Sequence, residues 1–222
     1  MTNLFNRFKN IFGPSQKSNK VIGPLGLHLH AAFTLDLLEY RLCENQMLIE
    51  LPGEEFLIAA QSTIDLGAGC DIYRYYTSGD EFIQINTEGG FDSNSISDIK
   101  LFVYEDSHGI TGKMAWDKAI SPACIGAAEL KWRDKTWLRV FNAEESGAVA
   151  PVYLLENVSN QQQDEWQVHN FTMVYQRELN DSQYEYLMIT GEETFDEQNQ
   201  PEWLLSYALG IDLTFLQVNV IG

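Results

Sequence analysis

The stretch 70–87 constrains this chain more than any other. Two runs rich in aromatic and β-branched residues flank the pair Ser78-Gly79, the pattern of two antiparallel strands joined by a tight turn. A two-residue turn sets Tyr75 opposite Phe82, Arg74 opposite Ile83 and Ile72 opposite Ile85. Ile72, Ile83 and Ile85 then share one face, and Tyr73, Tyr75 and Phe82 share the other. Both faces carry large apolar side chains, so the hairpin is expected at the centre of a sheet.

Similar runs recur along the chain. Met47 to Leu51 and Phe56 to Ala60 read as strands around the turn Pro52-Gly53-Glu54-Glu55, and Ile99 to Tyr104 as another. Leu130 to Phe141 reads as a second hairpin turning near Arg133-Asp134-Lys135. Phe171 to Leu179 and Ser182 to Thr190 read as a third, turning at Asn180-Asp181, with single strands at Pro151 to Val158 and Leu213 to Val220. Helix signals are short. Thr34 is placed to cap Leu35 to Leu42, Lys113 to Ile120 stops at Pro122, and Pro201 to Leu209 has a starting proline and a terminating Gly210. The expected class is α+β, β-rich, with mostly antiparallel strands in two packed sheets or barrel-like halves and few short helices.

A shift of 104 residues places Glu81, Ile85, Glu88, Phe91 and Asp92 on Glu185, Ile189, Glu192, Phe195 and Asp196. This echo predicts an internal duplication, with halves 21–122 and 123–222 inside one globular domain spanning 21–222.

Residues 1–20 stand apart as a basic amphipathic segment and linker. They hold Arg7, Lys9, Lys17 and Lys20 and no acid, whereas the rest carries ten basic against 32 acidic side chains, a net −22. Leu4, Phe5, Phe8, Ile11 and Phe12 fall on one helical face, and Gly13-Pro14 ends the segment. Two readings stand: contact with a membrane surface or a partner, in which Arg7 and Lys9 flank the apolar face, or folding back onto the acidic body.

The acidic balance argues against nucleic acid as a partner. Cys43, Cys70 and Cys124 are odd in number and without metal-ligand spacing, as expected of reduced thiols in the cytoplasm. No apolar run reaches the length of a membrane span, and no signal-peptide core is present. There is no GxSxG or HExxH, and no cofactor or metal site is expected. The loops around Asp92 and Asp196 gather carboxylates that would serve an enzyme or a metal-binding protein, although neither has a calcium-loop spacing. Lys131, Trp132, Arg133, Lys135, Trp137 and Arg139 interleave cations with aromatic rings, a pattern suited to an anion or an acidic partner.

Several runs resemble a known family. Gly23-Pro24-Leu25-Gly26-Leu27-His28-Leu29, Leu51-Pro52-Gly53-Glu54-Glu55-Phe56 and Tyr75-Tyr76-Thr77-Ser78-Gly79-Asp80-Glu81-Phe82 are similar to the YjfK family of uncharacterised bacterial proteins. So are Asp98 to Glu105, Val168-His169-Asn170-Phe171-Thr172-Met173 and Pro201-Glu202-Trp203-Leu204. The runs occur in order and cover about residues 21 to 222. The resemblance implies a role near the inner membrane but supplies no activity and no catalytic residue. The functional expectation is a cytoplasmic, non-enzymatic adaptor with a protein partner and peripheral membrane contact through its N-terminal segment. An enzyme or metal-binding protein using the acidic loops is the alternative.

Overall fold

Antiparallel strands of 8 to 16 residues that alternate inward and outward side chains close a barrel here. The computed structural model describes residues 22–221. A short strand β1 (Ala32–Leu35) and a helical turn α1 (Leu38–Arg41) lead into four consecutive strands. These are β2 (Glu55–Gly67), β3 (Cys70–Thr77), β4 (Glu81–Glu88) and β5 (Ile96–Ile110). An insertion follows, with α2 (Lys113–Ala119), α3 (Pro122–Ile125) and the hairpin β6 (Glu129–Trp132) and β7 (Lys135–Arg139). Four more strands come next, β8 (Val152–Asn160), β9 (Glu165–Asn180), β10 (Gln183–Phe195) and β11 (Pro201–Asp212), then β12 (Val218–Ile221).

The two meanders form a single closed antiparallel barrel of eight strands. Its order is β2-β3-β4-β5-β11-β10-β9-β8, and β8 returns to β2 through Ala60↔Asn160 to Thr63↔Asn157. Two packed sheets are therefore corrected to one barrel, and neither half closes alone. β1 and β12 extend β2 at one side, and β7 joins β9 at Leu138↔Gln176 and Arg139↔Tyr175.

Which face is inside follows from one contact. Arg74 Nη2 on β3 lies 4.0 Å from Met188 Sδ on β10. These strands are four apart in either direction round the barrel, so the two side chains meet through its interior. Register carries this assignment to every strand. Arg74 pairs with Gln84, Gln84 with Lys100, and Lys100 with Asp212, while Met188 pairs with Val174 and Ala208. The interior thus holds Phe82, Phe102, Tyr186, Met188 and Ala208 as one apolar cluster beside a set of buried polar groups. Gly210 sits on β11 directly under the Phe102 ring, where an added Cβ would lie 2.5 Å from the ring carbons.

The outward residues of the same strands are largely apolar and form the main core with the covering segments. Tyr75, Ile83, Ile85, Leu101, Leu187 and Leu209 pack under Leu27, Phe33, Leu37, Tyr40 and Val218 from the two chain ends and under Ile125, Trp137 and Val149 from the insertion. Glu185, fully buried beneath this layer, fixes it in place. It accepts the backbone N–H groups of Leu48 and Ile49 at 2.7 Å and the Arg177 guanidinium.

Several local expectations change. The central hairpin turns over three residues rather than two, so Tyr75 faces Ile83, Arg74 faces Gln84 and Tyr76 faces Phe82. Thr77 sets the wider turn, since its Oγ1 accepts Gly79 N–H and donates to the Glu81 carboxylate at 2.7 Å. Residues 201–209, read as helix, belong to β11. Residues 47–51 form no strand, because Leu48 and Ile49 bond to Glu185 rather than to a neighbouring strand. Thr34 lies in β1, and the chain enters α1 through a turn in which Asp36 Oδ1 accepts Leu38 N–H at 3.1 Å.

Candidate functional site

The barrel interior contains the strongest concentration of chemistry. Glu156, on β8, is 2 % exposed and accepts four hydrogen bonds. They come from Arg74 Nη1 at 2.9 Å, Tyr76 Oη at 2.5 Å, Asn170 Nδ2 at 2.6 Å and Ser62 Oγ. Arg74 Nε also donates to Gln84 Oε1 at 3.0 Å, and its guanidinium lies 5.7 Å from the Phe82 ring centroid. Burial alone would lower the Arg74 pKa. The Glu156 carboxylate, together with Tyr76 and Tyr104, outweighs that effect and holds it above its usual value. The network is buried inside the barrel.

Burial, reinforced by Glu156, raises the pKa of Tyr76 well above the ordinary tyrosine value. Burial also raises that of Tyr104, with Tyr76 and Glu192 adding to it. Both phenols therefore stay neutral in the fold at pH values where the unfolded chain ionises them, near pH 10. Above that point the unfolded state binds fewer protons, and stability falls with rising pH. Each such tyrosine contributes a loss of about 1.4 kcal/mol per pH unit above pH 10. Alkaline titration is expected to show cooperative unfolding by circular dichroism, with the interior tyrosinate absorbance appearing only in that transition.

At one mouth of the barrel, Lys100 Nζ bridges Asp98 and Asp212 at 2.7 Å each, over the Tyr186 ring. Tyr186 Oη donates to Asp212 Oδ2 at 2.8 Å. Paired charge thus lines this end of the barrel.

The acidic loops do not converge. Asp92 Oδ1 accepts Asn94 N–H and Ser95 N–H, and Asp196 Oδ1 accepts Gln198 N–H and Gln200 N–H, so each carboxylate caps its own turn. Among the described residues, no group of three or more His, Cys, Asp and Glu side chains is placed to hold a metal ion.

The basic hairpin is divided by its register. Trp137 is fully buried under the insertion, and Arg139 is buried with its guanidinium turned into backbone carbonyls. Lys131, Arg133 and Lys135 are exposed. Arg133 lies 4.4 Å over the Trp132 ring and pairs with Glu105 at 2.6 Å, while Trp132 stacks on Tyr207. Leu4, Phe5, Arg7, Phe8, Lys9, Ile11 and Phe12 lie outside the described residues.

The outer wall of β8 to β11 carries a feature that sequence reading missed. Tyr153, His169, Phe171 and Phe195 meet in a continuous strip, with ring centroids 5.5–5.9 Å apart. Tyr153 Oη and His169 Nδ1 share a hydrogen bond of 2.7 Å. Trp116 of α2 anchors the buried side, stacking on Trp203 and meeting Phe171 edge-on. Gly191 makes this approach possible, since an added Cβ would fall 2.9 Å from the Trp116 ring. At the open side, Tyr153 is 50 % and Phe195 48 % exposed. The strip was hidden in the sequence because its members come from three strands and alternate with inward residues. A shallow groove of about 420 Å³ lies on the adjoining wall, lined by Gln61, Thr63, Asn157, Ser159 and Gln167.

No helix among the described residues is long and apolar enough to cross a membrane. The chain is 54 % identical over 215 residues to a protein of Escherichia coli (strain K12) described as "Uncharacterized protein YjfK", covering 97 % of this chain and 98 % of that one. No solved structure matches it. A family model described as "Protein of unknown function (DUF2491)" matches residues 7–219. The chain therefore belongs to the DUF2491 family, whose function is unknown.

Proposed function

We propose that this protein is a cytoplasmic adaptor that binds another protein through the outer wall of its barrel. The observation that carries this reading is the strip Tyr153–His169–Phe195. Half-exposed aromatic side chains held in fixed orientation supply contact area at low entropic cost, which is why such residues dominate binding hot spots. Inside the barrel, by contrast, the polar side chains around Glu156 are buried and bonded to one another. Glu193, Asp196 and Glu197 adjoin the strip in sequence, and the body carries a large negative charge. The partner that fits is a protein presenting an apolar side chain beside basic ones.

The test compares full-length protein with Tyr153→Ala/Phe195→Ala in affinity capture from the native host. The double variant is expected to lose more than nine-tenths of any specifically captured protein while keeping its circular dichroism and thermal midpoint. Gln61→Ala/Gln167→Ala, on the polar groove, is the matched control and should capture normally. Capture that is equal in all three proteins would remove the strip as the contact.

We also infer that the two meanders descend from one duplicated unit. The 104-residue echo supports this, together with the equivalent places of β4 and β10 as third strands of their meanders. Half-on-half alignment of relatives should extend the spacing through β2–β5 and β8–β11. A match confined to residues 81–92 would overturn the inference.

A further inference from the structure

Among the described residues, two segments of the layer outside the barrel carry exposed apolar side chains and are bonded to one another. Asp36 N–H donates to Gln217 O at 2.9 Å, and Gln217 Nε2 donates to Asp36 O at 3.1 Å. These bonds hold the start of α1 beside the turn Phe215–Gln217. Leu38 and Leu42, four residues apart and so on one helical face, are both exposed, Leu42 at 81 %. Phe215 and Leu216 are exposed on the adjoining turn, Leu216 at 80 %. Single exposed leucines are ordinary. Four large apolar side chains on two segments bonded to one another are not. Exposed Asp36, Glu39 and Glu44 surround them, and the one cation of α1, Arg41, donates to Pro52 O at 3.1 Å.

We propose that residues 4–12 of the same molecule cover this face. Three observations select that occupant. First, the chemistries match: Leu4, Phe5, Phe8, Ile11 and Phe12 are interspersed with Arg7 and Lys9, and residues 1–20 contain no acid to oppose Asp36, Glu39 and Glu44. Second, the described chain begins on the same side of the barrel. Gly23 packs against the Tyr75 hydroxyl on the outside of β3, and Leu25 and Leu27 join the cluster that includes Leu35, Leu37 and Val218. Third, the reach is sufficient. Residues 13–21 can span up to about 30 Å when extended, against a radius of gyration of roughly 17 Å for a chain of this size.

Tethering makes even a weak contact count. A short flexible linker presents its segment at an effective concentration of about millimolar, so an intrinsic affinity of that order already keeps the face substantially covered. This contact stands independently of whether the aromatic strip binds a partner.

The experiment uses the full chain with Cys70→Ser and Cys124→Ser, carrying Asn10→Cys and Glu39→Cys. Both new thiols lie at polar positions, so the apolar contact is left whole. Mild oxidation at low protein concentration is expected to give an intramolecular disulfide in most molecules, seen as a faster monomer band that dithiothreitol reverses. Asn10→Cys paired with Gln167→Cys, on the far wall, should give none. In a second measurement, Phe8→Asp in the full chain should raise binding of a hydrophobic fluorescent dye several-fold, and Leu42→Asp/Leu216→Asp should cancel that increase. A disulfide formed only between molecules would assign the face to a second copy and overturn the proposal. So would equal cross-linking to both sites, or dye binding that Phe8→Asp leaves unchanged. Co-sedimentation of the wild-type chain with phosphatidylglycerol vesicles, with loss of the Asn10→Cys/Glu39→Cys link in their presence, supports the cover and identifies lipid as its competitor.

Discussion

Replacing Glu156 by alanine is expected to lower folding stability by roughly 3–5 kcal/mol, the cost of removing one partner of a buried ion pair. The size follows from what would be left behind. Arg74 is 3 % exposed and cannot lose its proton, so its charge would remain inside the barrel among neutral neighbours, Gln84, Tyr76, Met188 and the Phe82 face. Tyr76, Asn170 and Ser62 would lose an acceptor at the same time. Against a total stability of about 5–15 kcal/mol, such a loss places the variant near unfolding. Urea denaturation should show a lower midpoint with an unchanged slope. Arg74→Met/Glu156→Leu removes both charges, and it should recover much of the loss, since well-packed apolar replacements of buried pairs are often neutral. A cost below about 1 kcal/mol for Glu156→Ala would mean that water reaches Arg74. The lumen would then be an accessible cavity rather than a packed one.

The same pair shows where reading the sequence stops. Strand-forming runs were legible in residues 70–87, 130–141 and 171–190, and all three are hairpins. Facing was not legible, because side-chain direction alternates with a period of two. A single extra residue in the Ser78–Asp80 turn therefore moved every partner across the central hairpin by one. With the two-residue turn, Arg74 stood opposite Ile83. With the real one it stands opposite Gln84, inside the barrel. Residues 201–209 misled for a related reason. Ser206, Ala208 and Gly210 are small because Thr190, Met188 and Phe102 occupy the lumen opposite them, so an inward-facing strand resembled a helix ending in glycine. Glu156 was a single acid within a run reading as a strand; pairing with β9 brings Asn170 beside it, and only barrel closure brings Ser62 and Arg74. Tyr153, His169 and Phe195 are likewise scattered in sequence and joined by register.

Arg139 carries the second large effect, through the insertion rather than the barrel. It lies on β7, is 3 % exposed and turns its guanidinium into a loop of irregular backbone. It donates to five main-chain oxygens: Gly126 at 2.6 Å, Phe141 at 2.8 Å, Asn142 at 2.8 Å, Glu145 at 2.6 Å and Gly147 at 2.8 Å. The loop has no ladder to satisfy these carbonyls, so one side chain does what a neighbouring strand would do elsewhere. Alanine at this position removes five charge-assisted bonds together. The loop can open to water, which limits the expected loss to about 3 kcal/mol rather than a sum over five acceptors. Opening should also be local at first. Amide exchange at Val140 and Val149, whose N–H groups bond to Val174 O and Gly126 O, is expected to accelerate before the barrel amides do, with protease cleavage appearing within residues 142–148. Arg139→Lys separates charge from geometry. Lysine keeps the positive charge but offers three donors from one nitrogen, which cannot reach carbonyls arrayed around a planar fork. It should therefore behave nearly as badly as alanine. If lysine instead restores both the midpoint and the exchange protection, charge alone holds the loop, and the five-carbonyl geometry is incidental.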